Sequence, residues 1–287
     1  RTRWPDEITG SGLDYVSNLD YIKELVYYWQ TKVDWLAQER LINSFSHFKT
    51  DVGGLGVHFI HEKGRGPNPM PLVITHGWPG TFFEMHKIIP MLSDPAKHGG
   101  DPADAFNVVA PSMPGYGFSD AGVIRGLDIF TIGDMWAKLM SENLGYERFA
   151  AQGGDWGARV TAKLGLSHGD KVVGIHTTST TSPTPYLGPG SKELSEDEKG
   201  MLHQRDQWLA DEGGYSHIQS TKPQTLSYGL NDSPAGLAAW IVEKYRRWSD
   251  CGDDVETRFT KDELLTTVTI YWVTQSINSS ARLYYEA

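Results

Sequence analysis

The sequence predicts an α/β protein: a mostly parallel sheet with helices on both faces, preceded by a short antiparallel region and followed by a helical block. Three observations predict it. From Pro71, apolar runs of four or five residues alternate with longer stretches of helical period, the pattern of buried parallel strands joined by crossover helices. Before that, Val57, Phe59 and His61 alternate with His58, Ile60 and Glu62 after the turn-forming pair Gly53-Gly54, which is the period of antiparallel strands. After Thr178 the strand rhythm stops, and long segments of helical character follow.

Taken in order, Leu19, Ile22, Leu25, Val26 and Trp29, then Trp35, Leu36, Leu41 and Ile42, recur at helical spacing and predict packed helices. Leu72 to Thr75, Phe106 to Ala110, Arg148 to Gln152 and Val172 to His176 predict the parallel strands. Phe82 to Leu92, Ile129 to Leu144 and Trp156 to Leu166 predict the helices between them. Thr180 to Ser191, rich in Thr, Ser, Pro and Gly, reads as a linker. Leu194 to Ala210, Pro234 to Trp248 and Lys261 to Glu286 read as helices. The organisation expected is an N-terminal wrapping region over 1–70, the first part of a sheet core over 71–179, and a helical lid over 180–287.

Composition narrows the partners. With 26 basic against 36 acidic residues and a formal charge of -10, neither nucleic acid nor an anionic membrane surface is expected as a partner. Cys251 is the single cysteine, so an intrachain disulfide and a Cys-based zinc site are both excluded. No apolar run is long enough for a membrane segment, and a cytoplasmic location is expected. His58-Phe59-Ile60-His61-Glu62 is set aside as a metal site, because positions i and i+3 of a strand face opposite ways; no metal and no cofactor are expected.

The chemistry centres on Gly153-Gly154-Asp155-Trp156-Gly157, which follows a predicted strand and opens a predicted helix. It is the G-x-nucleophile-x-G elbow with Asp where lipases and esterases carry Ser. The bland alternative makes Asp155 a helix N-cap. Upstream, His76-Gly77-Trp78-Pro79-Gly80 follows a strand at the place of an oxyanion-hole loop, so the backbone N–H groups of Trp78 and Trp156 are the expected oxyanion donors. His76 is expected to brace that loop. A carboxylate needs no base before it attacks. Its attack on an ester carbonyl would give an anhydride, whereas attack on an sp3 carbon with a leaving group gives a stable ester. The residue type therefore selects epoxides or haloalkanes as electrophiles.

These motifs, together with Pro111-Ser112-Met113-Pro114-Gly115-Tyr116-Gly117-Phe118-Ser119, Tyr28-Trp29, Asp34-Trp35 and the His58 to His61 segment, closely resemble the microsomal-type epoxide hydrolases, a family that includes juvenile hormone epoxide hydrolases. The resemblance covers nearly the whole chain. It implies an α/β-hydrolase fold and hydrolysis of a small apolar epoxide by water to a vicinal diol, through a covalent ester on Asp155, in a detoxification role. It also implies two lid tyrosines as proton donors. Gly214-Tyr215-Ser216-His217 and Arg282-Leu283-Tyr284-Tyr285-Glu286 match those segments and point to Tyr215 and Tyr284, with Tyr285 one register away.

The family's general-base His and its Glu partner have no match here, and two further strand–helix units of the sheet are expected beyond Ala287. Three explanations stand: a longer polypeptide, a truncated product whose open sheet edge another chain covers (a homo-oligomer among the options), or recruitment of a visible residue such as His217. A haloalkane dehalogenase-like hydrolase and a non-catalytic ligand-binding relative lacking the base His remain the alternative readings.

Overall fold

The computed structural model describes residues 2–179 and 185–287; residues 180–184, the start of the expected linker, lie outside the described residues. The N-terminal stripe folds into α1 (Leu19–Thr31) and α2 (Trp35–Ile42), capped by Asn18 and Asp34, whose side chains accept from the N–H groups of Tyr21 and Ala37. β1 (His47–Asp51) and β2 (Gly56–Glu62) pair antiparallel. Between them Gly53 and Gly54 take φ of 68° and 86°, a region where side chains are strained.

The sheet continues through β3 (Met70–Thr75), β4 (Phe106–Pro111), β5 (Phe149–Gly153) and β6 (Val172–Thr177), in the spatial order β1-β2-β4-β3-β5-β6. β2 meets β4 antiparallel, and the four later strands run parallel. Successive residues feed opposite cores. Ile60, Leu72, Ile74, Val108 and Ala110 join Phe82, Phe83 and Ile89 on one face. Phe59, Val73, Val109 and Ala151 join Ile132, Trp136, Val160 and Leu164 on the other. The first face is covered by α3 (Ile88–Ser93), the second by α4 (Ile129–Lys138) and α5 (Trp156–Ser167). Trp136 is fully buried, and its Nε1 donates to Thr75 Oγ1 at 3.1 Å, which ties α4 to the end of β3 where the site begins. Truncating such a side chain costs ~3–5 kcal/mol.

Two helices break where none was expected to. The Phe82–Leu92 segment is a 3-10 turn, Phe82–His86, followed by α3. Thr81 accepts from the Phe83 N–H, and the tight turn drives both Phe82 and Phe83 into the core. The Ile129–Leu144 helix widens after Lys138 into a π turn, Leu139–Asn143, which buries the consecutive Leu139 and Met140.

The helical block comprises α6 (Glu196–Glu212), α7 (Gly214–Thr221), α8 (Pro223–Asp232), α9 (Pro234–Arg247), α10 (Lys261–Thr274) and α11 (Ile277–Glu286). Ser195 with Glu198, and Thr260 with Glu263, form reciprocal capping boxes at α6 and α10. α7 and α8 fall between the expected helices; Gly213 caps the start of α7, and Pro223 opens α8 at its first position. The expected Lys261–Glu286 helix is two, interrupted by Gln275 at φ 54°. Trp29 Nε1 donates to Thr269 Oγ1 at 3.0 Å and joins α1 to α10. The loop after β4 grips α11: Ser279 Oγ donates to Gly115 O at 2.6 Å and the Tyr116 hydroxyl to Ser280 O at 3.3 Å. That grip sets the orientation of Tyr284, one turn further on.

Candidate active site

The β5–α5 junction is a sharp elbow. Asp155 sits at φ 50° and ψ -123°, a conformation costly for a residue with a side chain. Close backbone approach explains the glycines around it. A Cβ on Gly153 would lie 2.2 Å from Gly157 O, and one on Gly157 would lie 2.1 Å from Thr75 O. The strained turn lifts the Asp155 side chain away from α5, to which it makes no capping bond. The N-cap reading is thereby set aside. The Asp155 N–H donates to Ser179 Oγ at 2.9 Å, which steadies the turn from beyond β6.

The His76–Gly80 loop crosses directly over the carboxylate. Trp78 N–H donates to Asp155 Oδ1 at 2.9 Å, and the Trp156 N–H faces the same carboxylate from the start of α5. The two amides expected to converge do so, on the carboxylate itself. Gly77 makes room: a Cβ there would stand 2.4 Å from Asp155 Cβ. His76 is buried between two loops, with Nδ1 bonded to Gly77 O at 2.9 Å and Nε2 receiving the Met113 N–H at 3.1 Å. Those partners leave one neutral tautomer, Nδ1–H, and burial holds the ring down to about 4.

Asp155 carries accessible surface, but that surface faces a cleft of about 680 Å³ lined also by Ser179, Trp208, Glu212, Tyr215, Arg247 and Trp248. Enclosure by protein raises its carboxyl above the ordinary value, while the two amides and the Arg159 guanidinium pull the other way. Arg159 itself lies over the Trp156 ring at 4.8 Å.

Tyr215 on α7 and Tyr284 on α11 meet above this carboxylate, ring centroids 5.7 Å apart. Trp78 stacks on Tyr215 at 5.1 Å, and Trp156 meets Tyr284 edge-on at 4.9 Å. The two hydroxyls face each other, an interaction that lowers the Tyr215 phenol and raises that of Tyr284, and both phenols feel the Asp155 charge. Burial pushes Tyr215 up to about 12 and Tyr284 well above 10, so both are protonated at neutral pH. Tyr285 points away, 61% exposed. His217 is exposed on α7.

Sequence reasoning missed the frame around these groups. Glu212 accepts from Arg247 at 2.5 Å and from Trp248 Nε1 at 3.0 Å, which ties the end of α6 to α9 at the cleft wall. Lys244, nearly buried beside Glu243, places its ammonium 5.0 Å from the Tyr215 ring centre and 5.3 Å from that of Trp248. Glu84 lies behind the His76–Gly80 loop. An acid in the amphipathic Phe82–Leu92 stretch reads as solvent-facing, so no local signal singled it out.

A nucleophile elbow, an oxyanion loop and this strand order define an α/β-hydrolase. Comparison with known proteins agrees and goes further. The family model "Epoxide hydrolase N terminus" matches residues 1–85, and "alpha/beta hydrolase fold" matches residues 70–229. Epoxide hydrolase 1 of Oryctolagus cuniculus is 40% identical over 100% of this chain and 68% of its own. Juvenile hormone epoxide hydrolase 2 of Ctenocephalides felis is 36% identical over 98% of this chain and 64% of its own. Among solved structures, the juvenile hormone epoxide hydrolase of Bombyx mori superposes with a TM-score of 0.83 at 32% identity, covering 100% of this chain and 70% of that one. The Aspergillus niger epoxide hydrolase gives 0.83 at 28% identity, over 99% and 72%. The chain belongs to the epoxide hydrolase family, and it spans about two thirds of the length of the curated relatives it matches.

Proposed function

We propose that this protein opens apolar epoxides to vicinal diols through an ester on Asp155. One Asp155 oxygen attacks a ring carbon, the carbon–oxygen bond breaks, and the leaving alkoxide takes a proton from Tyr215 or Tyr284. Water then adds to the ester carbonyl, giving up a proton to a base, and the tetrahedral oxyanion falls to the Trp78 and Trp156 amides. On collapse the departing diol oxygen takes the proton held by the base, and the carboxylic acid left on Asp155 returns its proton to the tyrosinate, restoring both carboxylate and phenol. The observation that carries the reading is the pairing of a two-amide cradle around Asp155 with two neutral phenols across the same cleft. A neutral phenol donates without carrying charge into an apolar space, and amides already aimed at an oxygen cost no reorganisation when charge develops there.

The aromatic walls, Trp208 and Trp248, favour an apolar substrate. Within this reading residues 1–70 wrap the sheet core of residues 71–179, and residues 180–287 act as the lid. The role is detoxification of reactive epoxides, in the cytoplasm. Among the described residues no helix is long and apolar enough to cross a membrane.

Incubation with styrene oxide followed by intact-mass analysis tests the reading. An adduct on Asp155, or diol in solution, supports it. Neither product, or products that persist after Asp155→Ala, would sink it.

A further inference from the structure

Glu84 is a carboxyl for which the proposed reaction has no stated use. The residue is exposed overall, but its carboxyl turns in against the backbone of the His76–Gly80 loop. A Cβ on Gly80 would stand 1.9 Å from Oε1 and 2.2 Å from Oε2, so the carboxyl lies flat against the loop backbone. The Gly77 N–H of the loop and the Tyr245 hydroxyl of α9 face this carboxyl, and the Thr267 hydroxyl of α10 faces Tyr245. From α10 as well, the Tyr271 hydroxyl donates to Gly80 O at 3.0 Å.

The loop is therefore held between two carboxyl groups by successive amides. Gly77 N–H goes to Glu84 behind it, and Trp78 N–H goes to Asp155 in front. A shift of the Gly77 peptide would rotate the Trp78 peptide with it, since the two share a Cα. The geometry points to Glu84 as a positioning residue: with Tyr245 it links the oxyanion loop to α9, and so keeps the Trp78 amide aimed at the reacting carboxylate. This role rests on the proposed reaction at Asp155. The ionisable groups around Glu84 are Asp155 from the elbow, Tyr245 from α9 and Tyr271 from α10, with Glu263 of α10 acting on Tyr245. Burial and the Asp155 charge raise the Glu84 carboxyl to about 8, so it changes charge in an accessible range.

The test is the rate of adduct formation on Asp155 with styrene oxide, followed by quenched intact mass at several epoxide concentrations and pH values. Glu84→Gln and Tyr245→Phe are each expected to slow the saturating rate about tenfold, less than the ~10²–10³-fold loss of a whole oxyanion donor, with the half-saturating concentration unchanged. The double variant is expected to be no slower than the worse single one, because both break one link. The unaltered protein is expected to show an inflection near pH 8 that Glu84→Gln lacks. A Glu84→Gln protein with unaltered rate and inflection would overturn the role. So would losses that multiply, or a fall in melting temperature and reactive fraction with no change in the rate constant. If the unaltered protein forms neither adduct nor diol, it is the reaction at Asp155 that fails, a result distinct from each of these.

Discussion

Trp78 and Asp155 are joined by a 2.9 Å bond from backbone N–H to Oδ1, so the carboxylate proposed as nucleophile already holds one oxygen where its ester oxyanion would form. Each partner depends on an unusual local backbone. Asp155 reaches the amide only from its strained elbow at φ 50°, and Trp78 approaches only because Gly77 has no side chain. The cradle is thus built before any substrate arrives, which is what electrostatic preorganisation requires.

Gly77→Ala should break that relationship without touching a reacting atom. The new methyl would stand 2.4 Å from Asp155 Cβ and 2.6 Å from its Oδ1, far inside contact distance. Because both neighbours are held by backbone, the elbow or the loop must move by about an ångström, enough to cost ~10²-fold in rate. Styrene oxide turnover or adduct formation should fall by that order, while circular dichroism and melting temperature change little. Wild-type rates would show that the amide contact is dispensable.

The phenol pair should be unequal in effect. The pairing of the two hydroxyls lowers the Tyr215 phenol and raises that of Tyr284, which makes Tyr215 the better acid of the two. Tyr215→Phe removes that acid, and a positioned general acid contributes ~10²–10⁴-fold. Tyr284→Phe leaves Tyr215 in place but less acidic, so a smaller loss is expected, and the double variant should be nearly inactive in ring opening. Tyr285→Phe, at an exposed position, should be silent. Single-turnover kinetics with the four variants decide the assignment, and a deficit in Tyr285→Phe matching that of Tyr284→Phe would refute it.

Much of this arrangement is legible in the sequence, for identifiable reasons. Leu72 to Thr75 and Phe106 to Ala110 are recognisable as buried strands because both faces of each are covered, so no polar alternation interrupts them. Asp155 stands out because the elbow demands glycine at Gly153 and Gly157, where neighbouring backbone leaves no space for Cβ. Tyr215 and Tyr284 were distinguishable only through family resemblance, since thirteen tyrosines share the same intrinsic chemistry. Gln275 carries no glycine or proline signal, yet it breaks the last helix by taking a left-handed conformation that tertiary packing imposes. Glu84 was hidden because an acid in an amphipathic stretch ordinarily marks the solvent face. Its partners, Gly77 and Tyr245, lie 7 residues before it and far along the chain, beyond any local pattern.

Stability should pass through a maximum near neutral pH. His47 Nε2 bonds Ile42 O at 2.8 Å, His47 Nδ1 bonds His58 Nε2 at 2.8 Å, and His58 Nδ1 bonds Ser112 Oγ at 2.8 Å. A neutral His58 fits this chain, donating from Nε2 to His47 Nδ1 and accepting at Nδ1 from the Ser112 hydroxyl. Burial holds His58 down to about 3 and His76 to about 4, against ~6.5 in an unfolded chain. Below ~6.5 the unfolded state takes up these protons first, so stability falls as pH drops toward those values, by up to ~1.4 kcal/mol per pH unit for each ring. Glu84 has the opposite sign. Its carboxyl is raised to about 8, so the unfolded state ionises first above ~4.3, and stability is lost as pH rises to about 8. Between ~4.3 and ~6.5 two imidazoles outweigh one carboxyl, and above ~6.5 only the carboxyl acts, which places the maximum from these groups near pH 6.5. Urea unfolding at pH 5, 6.5 and 8 should trace it. Glu84→Gln should flatten the alkaline side and steepen the acid side, His58→Asn should flatten part of the acid side, and an alkaline slope that survives Glu84→Gln would assign that dependence to another group.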